Sequence, residues 1–281
     1  MKYSHYNRYL FILPSLILFL FAIVIPFFQG VYIAFTDWNG IAVSYNFVGF
    51  RNFTQLFSDA SMLRPIRNTF YFAIVYTVFN NIFALALAIM LSRWVVKKNV
   101  MKVLFFIPMA LSAVLAAFVW SFIFREVFRE LFSIPSLLGN PRTVIPGIIV
   151  IALWNTLGSN LIIYMAGLDN IPEMYNEASE IDGASPWQQF RHITLPMLIP
   201  SFTICITLTL TSSLREFATV MAATGGGPAG YSQTIAINIY RNLFQFQRAG
   251  YGQAVSLVFM AILVVIGLTL TRIFRKREVE Y

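Results

Sequence analysis

Of 281 residues, 58% are hydrophobic and 11% charged, with a mean hydropathy of +0.70; a soluble domain carries roughly a quarter charged residues, so this chain is a membrane protein. Its formal charge of +8 lies in short clusters beside apolar runs, where it orients spans, which excludes nucleic acid as a partner. The single cysteine, Cys205, excludes an intramolecular disulfide and a Cys-rich metal site, and reads as a packing residue.

Lys2 and Arg8 precede an uncharged run from Tyr9 to Phe35. That run is too long for the apolar core of a signal peptide, and no clean small-residue cleavage pattern follows, so an uncleaved first span is expected over residues 9–35. Pro14 and Pro26 kink it or mark its ends, which membrane helices tolerate when neighbours restore the freed backbone groups. Asp37 to Arg67 is polar and turn-rich, and its aromatics, Trp38 and Phe47 to Phe53 among them, predict a segment lying at the interface. A second span over 68–92 has Asn80 and Asn81 as its polar content. Asparagines buried in a bundle usually bond neighbouring helices, which is favoured here over a ligand role. Arg93, Lys97, Lys98 and Lys102 follow, the densest positive cluster between spans.

A third span is expected over 103–124, then a short loop with Arg125, Glu126, Arg129, Glu130 and Arg142, then a fourth span over 143–168. The fourth carries Trp154-Asn155 and Gly158-Ser159-Asn160 near its middle. The polar island 169–196 comes next. In it Asn176 is expected to N-cap a short helix begun by Glu177 and Ala178, with Glu177 and Glu180 at the positive end. Gly183 supplies a turn, and Pro186 after Ser185 starts a second helix, where its missing N–H costs nothing. The prediction is a helix, turn, helix held outside the bilayer.

The fifth span, over 193–214, is rich in hydroxyls (Thr194, Thr203, Thr207, Thr209, Thr211, Ser212, Ser213) that are able to bond back to their own helix. Residues 217–240 are uncharged, but Thr224 to Gly230, TGGGPAG, would leave irregular backbone unpaired in lipid, so a loop and then a short helix through Tyr240 are expected. No Gly-Lys-Ser/Thr follows the glycines, so this is not a phosphate loop. A sixth span over 253–271 ends at Arg272, Arg275, Lys276 and Arg277. With six spans, all five lysines fall on one face together with both termini and the polar island. Positive-inside reasoning makes that face cytoplasmic, even though nine arginines lie in the longer loops opposite. A seventh span through 217–240 would throw the terminal basic cluster outside.

Glu177-Ala178-Ser179, Gly183, and Ile193-x-Leu195-Pro196, at their spacing, resemble the EAA motif of permease subunits in binding-protein-dependent ABC importers, with Ser179 standing for the second alanine. The opening Tyr9 to Pro14, Thr36-Asp37-Trp38, Phe47 to Phe53, Arg67-Asn68-Thr69, Gly225-Gly226-Gly227-Pro228, and Tyr240, Phe244 and Gly250-Tyr251 are similar to the maltose-type, carbohydrate branch of these permeases. The resemblance implies an all-α membrane protein of six transmembrane helices in the type I ABC importer permease fold, with 169–196 as a cytoplasmic coupling loop.

It further implies a prokaryotic inner-membrane, multi-pass subunit that performs no chemistry and binds no cofactor, ATP and Mg being used by the partner ATPase. Expected partners are a second permease in a heterodimer, two cytoplasmic ATPase subunits, an extracytoplasmic sugar-binding protein and membrane lipid. Glu177, Ala178, Ser179, Gly183, Ile193, Leu195 and Pro196 become coupling residues. Trp154, Asn155, Ser159, Asn160, Ser213, Arg215 and Glu216 become substrate-path candidates, with Trp154 or Tyr164 offering an aromatic face to a sugar. For each, a helix-to-helix bond, or an ion pair for Arg215 and Glu216, is the alternative role. The implied cargo is an oligosaccharide or several sugars, with glycerol phosphate or another polyol derivative as the alternative. A secondary transporter or channel working without ATP is the rival class; against it, the spans hold no buried carboxylate or histidine beyond Glu216 at a span end. A membrane enzyme would need more than His5 and His192, far apart in sequence and without metal-ligand spacing.

Overall fold

The structure, a computed structural model, describes residues 5–93 and 98–275, with side chains over 11–92 and 100–274. Lys2, Lys97, Lys276 and Arg277 lie outside the described residues, as do the side chains of Arg8, Arg93, Lys98 and Arg275. The described fold is helical, with one isolated antiparallel bridge, Thr36 to Phe47. Four helices are long and apolar enough to cross a membrane: α1 (Phe11–Ala34), α3 (Ala60–Ser92), α6 (Val144–Asp169) and α12 (Ala249–Phe274). Two bent pairs bring the number to six if each pair counts as one span. Helix α2 (Arg51–Ser58) lies in the aromatic segment between α1 and α3.

Two compact units divide the chain, Met1–Ala60 with Asn238–Ala261, and Ser61–Ile237 with Ile262–Tyr281. In the first, the most apolar window of α1 contains no buried residue. Pro26 removes a helical donor, and the turn before it widens so that the Ile25 N–H reaches back five residues to the Leu20 carbonyl.

The second unit is built on α3 and α6. Ala84 and Ala88, one turn apart and fully buried, form a small-residue seam and share a core with Leu161, Tyr164 and Cys205. Phe72, Tyr76, Ile148 and Ala152 continue the core toward the other end, where Val220 joins them.

The predicted third span is not one helix. α4 (Val100–Ala110) and α5 (Ala113–Phe132) meet at 97°. Pro108 lies just before the break, the Ser112 hydroxyl accepts the Leu115 N–H at 3.2 Å to cap α5, and Asn155 of α6 donates to the carbonyls of Pro108 (2.7 Å) and Leu111 (3.1 Å). The backbone groups that a break exposes are thus satisfied from a neighbouring helix. α5 also runs on through Arg125, Glu126, Arg129 and Glu130, expected in a loop, and Arg125 pairs with Glu126 at 2.8 Å.

Other boundaries move too. α3 begins before the expected residue 68 and takes in Pro65 in its first turns, and α12 begins at Ala249 rather than 253. Residues expected in a loop after 217 form α10 (Ala218–Thr224) before the glycine-rich turn, which is followed by α11 (Ile235–Tyr240). The turn is held firmly: Asn68 donates to the carbonyls of Tyr231 (2.9 Å) and Gln233 (3.0 Å), and the Thr69 hydroxyl accepts the Ile235 N–H at 2.9 Å. Arg64 adds a bond to the Ala229 carbonyl and lies over the Tyr231 ring.

Candidate functional site

The polar island folds as α7 (Glu173–Ile181), a turn, and α8 (Pro186–Met197). Asn176 does not cap α7. The helix starts one turn earlier with Pro172 at the cap position, where extended backbone suits proline, so Glu173 is the acid of the first turn and Asn176 lies inside. The Asn176 side-chain oxygen is buried without a hydrogen-bond partner.

The turn is as expected. Gly183 has φ +73, a conformation that disfavours any side chain, and its N–H bonds the Glu180 carbonyl while the Ala184 N–H bonds that of Ser179. Ser185 and Gln188 then close a reciprocal capping box: the Ser185 N–H donates to Gln188 Oε1 at 2.7 Å and the Gln188 N–H to Ser185 Oγ at 3.4 Å.

Ser179 is buried and donates to the Asn176 carbonyl, so the departure from alanine is absorbed within its own helix. Glu177, Ala178 and Gly183 are exposed, as are Glu180 and Asp182. Met174, Ile181 and Trp187 are 66, 87 and 65% exposed. Exposed acids and exposed large apolar side chains thus occur together on the capped helix pair. Ile193, Leu195 and Pro196 lie at the root of the pair, half-buried. There α8 widens before Pro196, the Leu195 N–H reaching the Phe190 carbonyl, and then bends by 65° at the buried Leu198 into α9 (Ile199–Leu214). Leu195 and Pro196 therefore end α8 instead of starting the apolar helix. Only Leu198 separates α8 from α9.

The candidates on α6 and after α9 separate into different roles. Asn160, 5% exposed, donates to Asn80 Oδ1 and to Thr209 Oγ1, both at 2.8 Å, joining α6 to α3 and α9. The Tyr164 hydroxyl donates to Asn81 Oδ1 at 2.6 Å, and Tyr76 bonds Thr156. These bonds form a buried ladder between helices, the role expected of Asn80 and Asn81. Asn155 is committed to the α4–α5 break. Ser213 is buried and bonds the Leu210 carbonyl, one of several α9 hydroxyls that return to their own helix.

Glu216 serves as a cap for α10: its Oε1 accepts the Thr219 N–H at 2.8 Å. Trp154 meets Trp120 edge-on at 6.0 Å. Ser159 and Arg215 are exposed, each with a bond to a carbonyl of its own helix. Among the described residues no hydrogen bond, ion pair or ring contact joins the α6 candidates to Ser213, Arg215 or Glu216. Tyr76 and Thr156 belong to the ladder without having been singled out, and their positions, one turn before Asn80 and next to Asn155, were the available signal; Thr209, expected to bond its own helix, does so and also accepts from Asn160. The described residues hold no group of His, Cys, Asp and Glu fit to bind a metal.

Residues 60–278 match the family described as "Binding-protein-dependent transport system inner membrane component". The chain is 34% identical to the Probable starch degradation products transport system permease protein of Thermoanaerobacterium thermosulfurigenes, over 97% of this chain and 95% of that one. It is 28% identical to the Multiple sugar-binding transport system permease protein of Streptococcus mutans, over 98% of each. It resembles a chain in the crystal structure of a bacterial ABC transporter involved in the import of the acidic polysaccharide alginate, with a TM-score of 0.85, 23% identity and 96% of each chain covered.

Proposed function

The chain belongs to the family of inner membrane components of binding-protein-dependent transport systems and has the type I ABC importer permease fold, and on that premise we propose that it forms half of the path of an ATP-driven sugar importer. As a multi-pass permease subunit of an ABC importer it is not an enzyme, and an ATP-independent transporter or channel is set aside. The cargo is an oligosaccharide or several sugars, the class named for both relatives above. A second, related permease completes a heterodimer, two ATPase subunits sit on the inner face, and an extracytoplasmic binding protein delivers the sugar.

The observation that carries the reading is the α7–α8 pair, capped at its turn, with Met174, Ile181 and Trp187 exposed, and joined through one bend to an apolar helix. Positive-inside reasoning over six spans, the fifth of them α9, supports a cytoplasmic position for this pair and both termini. ATP-driven closure of the ATPase pushes on Glu177, Ala178 and the Gly183 turn, and Ile193, Leu195 and Pro196 pass the motion to α9. Along the path, Ser159, Arg215 and Trp154 meet the sugar, whereas Asn155 and Asn160 tie together the helices that line it and Ser213 and Glu216 are taken up by bonds within their own segments.

The test is Gly183→Asp and Glu177→Lys in the assembled importer. Sugar uptake should fall while membrane insertion and subunit recovery stay at parent levels; full uptake by both variants would sink the coupling role. Uptake of glycerol phosphate in place of sugar by the parent importer would move the cargo to the polyol class.

A further inference from the structure

Where the apolar run of α1 stops at Ala34, the chain is bound down at once. Asn52, buried on α2, donates to the carbonyls of both Ala34 and Thr36 at 2.8 Å. The Gly250 N–H donates to the Trp38 carbonyl at 2.9 Å, and any side chain at Gly250 would collide with the Thr36 carbonyl oxygen. Between these fixed pieces lies a cleft of about 190 Å³ whose lining includes Asp37, Trp38, Arg51, Gln55, Arg248 and Tyr251. Its carboxylates are already hydrogen-bonded: Asp37 accepts the Asn46 N–H at 2.6 Å and the Asn46 side chain at 3.2 Å, and the nearby Asp59 accepts the Tyr251 hydroxyl at 2.8 Å. Arg51 acts on Asp37 only electrostatically, through its charge. Among the described residues neither Arg51 nor Arg248 makes an ion pair, and Arg248 is held over the Tyr251 ring at 4.5 Å.

Two further observations say what fits there. The cleft sits at the ends of two apolar helices, after Ala34 of α1 and at Tyr251 of α12, which is the depth where hydrocarbon gives way to headgroups. Phe47 and Phe50, next in sequence to the lining residues Val48 and Arg51, are 66 and 69% exposed, as aromatic side chains at a membrane interface are. An open, mainly apolar groove of about 540 Å³ runs along α1 between Val24 and Ile33, with Tyr45 at its outer end. Tyr45 lies 5.9 Å from Trp38, ring to ring, so groove and cleft adjoin. At the helical rise, Val24 to Ile33 spans about 14 Å into the hydrocarbon, a large part of one leaflet.

We propose that cleft and groove together hold one phospholipid, its phosphate on Arg51 and Arg248 and one acyl chain along α1. Guanidinium groups are suited to phosphate by their fork of donors. A soluble phosphate would use the cleft but leave the groove without purpose.

The test is native mass spectrometry and lipid extraction on the detergent-purified importer, comparing parent, Arg51→Gln/Arg248→Gln, Arg51→Lys/Arg248→Lys and Ile25→Trp. Retained phospholipid should fall at least about tenfold in the glutamine double variant, the loss expected for hydrogen bonds to a charged group. It should fall in Ile25→Trp, which fills the groove with both charges intact, and stay near parent in the lysine pair. Excess glycerol phosphate should displace none of it. Equal retention in the glutamine pair and in Ile25→Trp would overturn the proposal; displacement by glycerol phosphate would assign the cleft to a soluble phosphate and overturn the lipid. If the glutamine pair fails to assemble, Ile25→Trp against the lysine pair decides in the same way. Lipid retention is read without transport, so its outcome is separate from that of the coupling test.

Discussion

Replacing Asn160 with alanine separates a framework residue from a path residue. The Asn160 amide makes two interhelical bonds, to Asn80 and Thr209, at 2.8 Å each. Such bonds in membrane helices average about 0.6 kcal/mol and reach about 1.7, so their loss removes roughly 1–3 kcal/mol. Thr209 keeps a partner, because its hydroxyl also donates to the Cys205 carbonyl. Asn80 Oδ1 does not, and an orphaned buried acceptor adds about 1–3 kcal/mol. The sum, roughly 2–6 kcal/mol, corresponds to a fall of about 4 °C or more in the melting temperature of a chain of this size. Thermal unfolding of the purified importer measures it, with Ser159→Ala as control: that side chain is exposed and bonds only its own helix, so its change should stay within about 0.5 kcal/mol. Sugar-stimulated ATPase activity in the folded fraction of Asn160→Ala should match the parent. A melting temperature within about 1 °C of parent, together with lost stimulation, would refute the framework role and return Asn160 to the path.

Ser185→Ala removes the capping box of α8 at a cost of about 1 kcal/mol, and hydrogen exchange should speed up at the Gln188 amide while α9 is unaffected. Unchanged exchange there would mean the pair is held by other contacts. For Asp37, the Asn46 backbone and side-chain N–H groups hold the carboxyl below its ordinary value of 3.8. A lowered folded value means that its contribution is complete above the ordinary value and is lost as pH falls through the folded one. Protection of the Asn46 amide should therefore persist down to about pH 4 and disappear only in stronger acid, a dependence that Asp37→Asn abolishes. Loss of protection between about pH 7 and pH 5 would contradict the bond pattern. For coupling, Gly183→Asp carries the sharper expectation of the two variants proposed: aspartate brings both a side chain to φ +73 and a new charge to an exposed turn.

Composition and run length were enough to establish a helical membrane protein, because lipid offers no partner for a bare peptide group and an apolar run must bond within itself. The same reasoning explains why the glycine-rich segment is not a span. The Gly183 turn and the Ser185–Pro186 helix start were legible too, since both depend on the chemistry of adjacent residues. Positions that depend on distant donors were not. Pro108 signals a weak point, but a break of 97° stands only because Asn155, far along the chain, supplies its side-chain amide to the freed carbonyls. Likewise, Asn68 and Thr69 matched a family pattern without disclosing that they clamp the turn before α11. Local sequence determines which segments are helical; only tertiary structure decided the sharp break between α4 and α5, because that break stands when another helix satisfies the backbone it exposes.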